Sequence, residues 1–254
     1  MPEKQKFIAF SCTHCPLQDG NAIEWLLGKI SKERPDYVIH LGDLHEADSA
    51  SRWNSDYRFT LEDEWKAANQ LLGDIWKAYK PARRILLKGN HDDNFQQPDR
   101  YPEEIRGALD FTKYGHETNL EHWSKPIEYK YRRENVFRLG QAAFWHGFGC
   151  SKFSGMDEAL YAAYPFGVLI GGHTHRPTRT IEPVIVRNQE LPYSYANAGC
   201  MCLLDPPYMS RNKVVRWGHA CVVGEVNITK SPRYSKQFDA RVDILRMAEN
   251  TDWN

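Results

Sequence analysis

Ile85-Leu86-Leu87-Lys88-Gly89-Asn90-His91-Asp92 decides how the rest of the chain is read. An apolar run too short for a helix stops in a glycine-containing turn that carries an amide, an imidazole and a carboxylate. Four more short apolar runs end abruptly in polar or glycine-containing loops. Phe7-Ile8-Ala9-Phe10 runs into Ser11-Cys12-Thr13-His14, and Tyr37-Val38-Ile39-His40-Leu41 into Gly42-Asp43. Ala142-Ala143-Phe144-Trp145 runs into His146-Gly147, and Val168-Leu169-Ile170 into Gly171-Gly172-His173-Thr174-His175. Short apolar runs bounded by turn residues suit buried strands of a mostly parallel sheet.

Between the first three runs the period changes to that of helices. Ile23, Leu26, Leu27 and Ile30 share one helical face, with Asp19 placed to cap it. Trp65, Ala68, Leu72, Ile75, Trp76 and Tyr79 share another, opened by the capping pair Thr60 and Asp63 and closed by Pro81. This alternation predicts an α/β fold with right-handed crossovers. From about residue 178 strands occur without long helices, at Thr180 to Val186 and Ala220 to Val226. That part predicts a second, more antiparallel sheet packed on the first. Residues 94 to about 135 break the rhythm and read as an insertion. A charged tail spans about 230–254, with a short helix expected near Ala240 to Ala248. No linker-like composition divides the chain, so 1–254 reads as one domain.

Composition narrows the function. Lys plus Arg and Asp plus Glu are 33 each in 254 residues, so the net charge is zero, which argues against a bulk nucleic-acid or membrane-surface binder. Apolar residues at 41% and aromatics at 13% suffice for a sizeable core. No run approaches the ~20 apolar residues of a membrane helix, and no apolar signal core opens the sequence. Six cysteines without such a signal read as reduced thiols or metal ligands. The expectation is a soluble cytoplasmic protein.

In open α/β sheets, ligands bind at the carboxyl ends of the strands. Here those ends carry His14, Asp43, Asn90 with His91, His146, and His173 with His175. These five histidines are half of the ten in the chain. Any one of them alone reads as a surface or satisfied core residue, as His40, His116, His122 and His219 do. The ordered set, one member or pair after each strand, reads as a metal site. Imidazole with carboxylate suits zinc, iron or manganese rather than magnesium or calcium. Cys12 and Cys15 also form Cys-x-x-Cys, a weak redox or zinc signal, because Cys200-Met201-Cys202 has the wrong spacing for a second one.

Gly42-Asp43, Gly89-Asn90-His91-Asp92, His146-Gly147 and Gly172-His173-Thr174-His175 resemble, in order, the motifs of the calcineurin-like metallophosphoesterases. The resemblance spans residue 7 to about 200. It implies a two-sheet β-sandwich flanked by helices and a centre of two divalent transition-metal ions (Mn, Fe or Zn). It puts His14, Asp43 and His175 on one metal, and Cys12 is read as a further ligand there. Asp43 bridges to a second metal on Asn90, His146 and His173, with His91 as the catalytic histidine. The first motif departs from the family's Asp-x-His, because Cys12 stands in place of the aspartate; lariat RNA debranching enzymes show a similar replacement. Glu46 is assigned to support His91, and Ala47 stands where the protein phosphatases of the superfamily carry a phosphate-clamping arginine. Asn197-Ala198-Gly199 resembles the turn after the last metal motif.

The implied activity is hydrolysis of a phosphoester by a metal-bridging hydroxide, with His91 protonating the leaving group. Two alternatives stand beside it: a non-catalytic scaffold, and a nuclease for single strands. The nuclease reading rests on rings and cations of the insertion, including Phe95, Tyr101, Phe111, Tyr114, Trp123, Tyr129 and Tyr131. A core role for the same rings is the competing expectation. Oligomeric state is not legible.

A thiolate at position 12 is softer than a carboxylate and favours zinc or iron(II) over manganese. Cys12→Asp is therefore expected to shift preference towards manganese with activity retained, and Cys12→Ser to weaken the first site. Metal content and metal-dependent activity of the three proteins check this; equal behaviour makes Cys12 a packing residue.

Overall fold

The computed structural model describes residues 3–51, 59–97, 101–110, 119–151, 155, 157–159, 167–186, 189–206, 216–228 and 240–247. Among the described residues, ten strands form two five-stranded sheets. The first has the order β10 (Ala240–Arg246), β9 (Ala220–Ile228), β1 (Glu3–Phe10), β2 (Tyr37–His40) and β3 (Arg83–Leu86). The second has the order β4 (Phe137–Leu139), β5 (Ala142–Phe144), β6 (Gly167–Gly171), β8 (Gln189–Asn197) and β7 (Thr178–Val186).

Alternation along β1 explains the layering. Phe7 and Ala9 point between the sheets, where they meet Ile39, Leu41, Phe144, Val168, Ile170, Ala196 and Val222 in one buried cluster. Ile8 and Phe10 point the other way, with Val38 and Leu86, onto two helices. A strand buried on both faces reads as a continuous apolar run because every side chain has a partner. Helix α1 (Gly20–Glu33) buries Ala22, Leu26 and Ile30, and Asp19 caps it by accepting from the Ala22 amide at 2.9 Å. Helix α2 (Leu61–Ala78) opens with a reciprocal box in which Thr60 and Asp63 each satisfy the other's backbone amide. No helix among the described residues is long and apolar enough to cross a membrane.

The sandwich flanked by helices agrees with the sequence expectation, but the assignment of strands to sheets does not. The runs at 142–145 and 168–170 lie in the second sheet, where β5 pairs parallel to β6 and β6 to β8. The strand at 220–226 joins the first sheet, antiparallel to β1. The physical reason lies after β3. The described residues of 94–135 form short helical turns and a single bridge at Ile127, and none of these is a crossover helix that would cover a fourth parallel neighbour on that sheet. The helix expected near 240–248 is also corrected: Ala240–Arg246 is an edge strand paired with β9. Ala240 and Val242 face inward while Arg241 and Asp243 do not, a two-residue period that suits a strand.

The insertion is anchored at both ends. Ile127 pairs with Leu87, and the buried Lys88 ammonium is 2.9 and 3.1 Å from the Glu128 carboxylate. Phe95 and Trp123 belong to the helix-side core, and the Trp123 indole donates to the Leu72 carbonyl at 3.3 Å. His122 stacks on Trp76 at 3.8 Å. The core role therefore holds for Phe95 and Trp123. Phe111, Tyr114 and His116 lie outside the described residues.

Glu64 of α2 is buried and accepts from the Asp48 amide at 2.6 Å and the Ser49 hydroxyl at 2.7 Å. Burial pushes its carboxyl up to about 7. The folded state therefore holds this proton more tightly than the unfolded one, so the contribution to stability is present below pH ~4.5 and fades as pH rises to ~7. Glu64→Gln keeps a neutral side chain in place. The difference in melting temperature between variant and parent is expected to move in the variant's favour between pH 4.5 and 7, and a difference that stays flat with pH contradicts the buried proton.

Candidate metal centre

The strands end in register. Phe10 and Leu86 flank His40 in the first sheet, and Phe144 lies beside Ile170 in the second. One or two residues further on, each chain leaves its sheet at the same rim. The loops are locked to one another by backbone bonds: Cys12 to Gly42, Thr13 and His14 to Asp43, and Gly172 to His146. Gly42 has φ 112°, and a Cβ there would stand 2.8 Å from the His146 ring. A Cβ on Gly89 would run into the Asp43 carboxylate. The glycine before Asp43 and the glycine before Asn90 are thus explained by close approach of three loops.

Backbone strain is concentrated at this rim. Cys12, His14, Asp43, His173 and His175 all have positive φ, between 47° and 66°, and only Arg34 and Ala47 share this among the described non-glycine residues. Each such residue costs of order 1–3 kcal/mol and persists where the surroundings over-determine it. Five of them fall at one cluster of imidazole, thiol and carboxylate, which makes the cluster a candidate functional site.

Asp43 is the hub. Its Oδ2 is 3.1 Å from His146 Nε2 and 3.6 Å from His14 Nε2, while its Oδ1 accepts the His91 amide at 2.9 Å. Burial alone would raise its carboxyl, but His146, His91 and His14 outweigh that and hold it well below the ordinary carboxylate range. His14 Nε2 faces His175 Nε2 at 3.2 Å, and His146 Nε2 faces the Asn90 amide oxygen at 3.2 Å. Cys12 Sγ forms one compact group with His14 and His175 and another with Asp43 and His146. His173 stands at the edge, its ring 5.2 Å from that of His146 and its Nε2 3.1 Å from Cys150 Sγ.

The donor set fits cations. His146 Nδ1–H donates to the Leu41 carbonyl at 3.1 Å, which turns its Nε2 towards two oxygens, those of Asp43 and Asn90. A ring nitrogen, a carboxylate and an amide oxygen that converge in a buried space are a donor set that a transition-metal cation can use. Burial first, then His146, pulls His173 down to about 4, and burial with His14 pulls His175 well down. Both rings are therefore neutral, the state that ligates metal. Burial and the Asp43 charge push the Cys12 thiol well up, so a thiolate there requires an adjacent cation.

Glu46 reaches His91 in two ways, and the assigned carboxylate contact is the longer one. Its carboxylate lies 2.7 Å from His14 Nδ1 and 3.9 Å from His91 Nδ1. His91 Nδ1–H donates instead to the Glu46 backbone carbonyl at 2.6 Å. Ala47, at φ 54°, turns the chain so that the carbonyl, rather than the acid, faces His91. His40 is the satisfied core residue expected of it: Nδ1 accepts from the Gly42 amide and Nε2 meets the Thr13 hydroxyl.

Sequence reading gave Asp92 no role. Its carboxylate accepts from the amides of Leu44, His45 and Gly89 and from His45 Nδ1 at 2.9 to 3.2 Å, tying the second loop to the third. Its position three residues after Gly89 is a helix-cap spacing that could have shown this. Asn197 is fixed by Tyr195 and Thr174 and holds the Gly172 carbonyl. Tyr129 stacks on Phe148 at 4.4 Å, edges onto His146 at 5.7 Å and donates to the Gly147 carbonyl. Cys150 carried no sequence signal.

Residues 5–177 match the family model of the calcineurin-like phosphoesterases, and the chain belongs to that family. No curated protein matches it in sequence. Among solved structures it is similar to YfcE, a phosphoesterase from E. coli, at 16% identity and a TM-score of 0.42 over 88% of this chain and 92% of that one. It is also similar to Vacuolar Protein Sorting 29 from Cryptosporidium parvum, at 11% identity and a TM-score of 0.42 over 96% and 99%. Vps29 from Chaetomium thermophilum gives 11% identity and a TM-score of 0.41 over 98% and 100%.

Because Asp43 reaches both halves of the cluster, Asp43→Asn is expected to lower metal content at both, whereas Asn90→Ala should affect the His146 half alone. Elemental analysis of chelator-free preparations checks this. Full metal content in Asp43→Asn contradicts a shared carboxylate.

Proposed function

We propose that the chain is a metal-dependent phosphoester hydrolase acting on phosphomonoesters or phosphodiesters. Two divalent transition-metal ions are assigned to Cys12, His14, Asp43 and His175 on one side and to Asp43, Asn90, His146 and His173 on the other. Such cations, when bound, neutralise phosphoryl oxygens and lower the pKa of water from about 15.7 towards 7.

The observation that carries the reading is the placement of His91. Its ring lies edge-on to His14 at 4.6 Å, beside Asp43, yet its side chain is 30% exposed where those of His14 and His146 are buried. The bond from Nδ1 to the Glu46 carbonyl fixes the ring and leaves Nε2 as the nitrogen for proton exchange. Burial pulls His91 down, but Asp43 and Glu46 outweigh it and the net shift is upward, which favours the ring that carries two protons. Nε2 can then give its proton to a departing alkoxide and recover it from solvent. Asp43 fixes the approach of His91 through the backbone amide, and the Tyr129–Phe148 pair covers the His146 side.

Burial of Phe95 and Trp123 in the core removes two of the rings on which a single-strand nuclease was argued, so the support goes to smaller phosphoesters. The six cysteines, all free, support a reducing, cytoplasmic setting.

His91→Ala is expected to lower kcat by about 10²–10⁴-fold with metal content unchanged. The loss should shrink for nitrophenyl esters, whose leaving group needs little protonation. Steady-state kinetics on alkyl and nitrophenyl esters measure it. Equal losses on both assign His91 to binding, and an inactive parent protein across mono- and diesters with manganese, iron and zinc favours the scaffold reading.

A further inference from the structure

Behind His175 lies a second group of ligand atoms that the hydrolase reading does not use. Cys200 and Cys202 follow β8 on either side of Met201, and both thiols are buried. With His175 they form a set whose donor atoms all lie within 4.8 Å of one another. The two ring nitrogens of His175 face different partners: Nε2 meets His14 Nε2 at 3.2 Å, and Nδ1 meets Cys202 Sγ at 3.9 Å. A metal-ligating histidine ordinarily gives its second nitrogen to a carboxylate, a carbonyl or water. Here sulfur occupies that place.

The separation is that of ligands around one ion. Zn–S bonds of about 2.3 Å and Zn–N bonds of about 2.0–2.1 Å on a tetrahedron place neighbouring donors roughly 3.6–3.8 Å apart. The backbone holds the thiols in position independently of any ion. Cys200 donates its amide to the Gly218 carbonyl at 3.1 Å, Met201 to Cys12 at 3.1 Å, and the His219 ring meets the Cys202 carbonyl at 2.9 Å. Gly199, at φ 68°, makes the turn into the pair and donates to Asn197 Oδ1 at 2.9 Å.

We propose that Cys200 Sγ, Cys202 Sγ and His175 Nδ1 form a separate site for a thiophilic divalent cation of the zinc–cadmium class, sharing the His175 ring with the hydrolase centre. The site rests on the hydrolase reading only through that ring. Two thiolates select a soft ion against manganese or magnesium, and three protein donors leave one tetrahedral position for solvent. Uptake of the cation sends one proton from each thiol to solvent, while Nδ1 binds through its lone pair. With Nε2 engaged at the same time, the ring releases its remaining proton as well. Filling this site fixes the orientation of His175, so a thiophilic ion acts on the hydrolase centre without touching substrate.

The test uses the full chain carrying Cys12→Asp and Cys150→Ser, which removes the other thiols beside the centre; Cys15 and Cys221 lie in the helix-side core. Cadmium-113 is the probe. One of the cadmium ions bound per chain is expected to give a resonance in the sulfur-ligated range, with thiolate-to-cadmium ultraviolet absorption. That absorption should fall by roughly half in Cys202→Ser and vanish when Cys200 is serine as well. A resonance of nitrogen and oxygen ligation alone, or absorption that survives the double replacement, overturns the proposal. Where the serine variants fail to fold, the resonance of the chain retaining both thiols decides. Turnover is measured separately on the parent chain with Cys12 and Cys150 in place: an inactive parent beside a sulfur-ligated cadmium signal counts against the hydrolase and for this site, and an active parent without the signal does the reverse.

Discussion

The Asp43 carboxylate, buried and surrounded by imidazoles, is the constraint on which the rest of the site depends. A buried charge without partners is costly enough that the group would take up a proton instead. Asp43 stays ionised because His146, His14 and the amide of His91 converge on it from three loops. Those loops can converge only if their strands end level and their glycines allow backbone against backbone. The parallel register of β1, β2 and β3 and the close contact at Gly42 and Gly89 both serve that one meeting point.

Asp92 provides the complementary support. It gathers three backbone amides and the His45 ring, so the second and third loops move as one piece. His40 does the same beneath the first two loops through Gly42 and Thr13. Neither residue reaches the open side of the centre. Preorganisation of this kind stabilises five left-handed residues that would otherwise relax. The sandwich core and the two outer helices thus secure a strained rim, which is a common division between scaffold and site.

The thiols give this centre its particular chemistry. Cys12 lies between the two halves of the cluster, while Cys200 and Cys202 stand behind His175. Sulfur at both places biases the region towards softer ions than a carboxylate set would hold. His175, in contact with Trp217 at 4.2 Å on one side and with His14 on another, links the two sets through a single ring.

Much of this was legible in the chain itself. Short apolar runs ending in Gly-Asp, Gly-Asn-His-Asp and Gly-His-Thr-His carry their own information, because a doubly buried strand must be apolar throughout and a loop at its end must supply the ligands. The caps at Asp19 and Thr60 were equally local, since a cap involves residues three apart. Only the tertiary structure decided which sheet each strand joins, because a run such as Val168-Leu169-Ile170 is compatible with any apolar neighbour. It also decided that Ala240–Arg246 is a strand, through the partner β9 offers. The same holds for Glu46, whose acid and carbonyl serve different histidines according to the turn at Ala47. Sequence names the groups that a site can use; long-range packing sets the direction in which each one points.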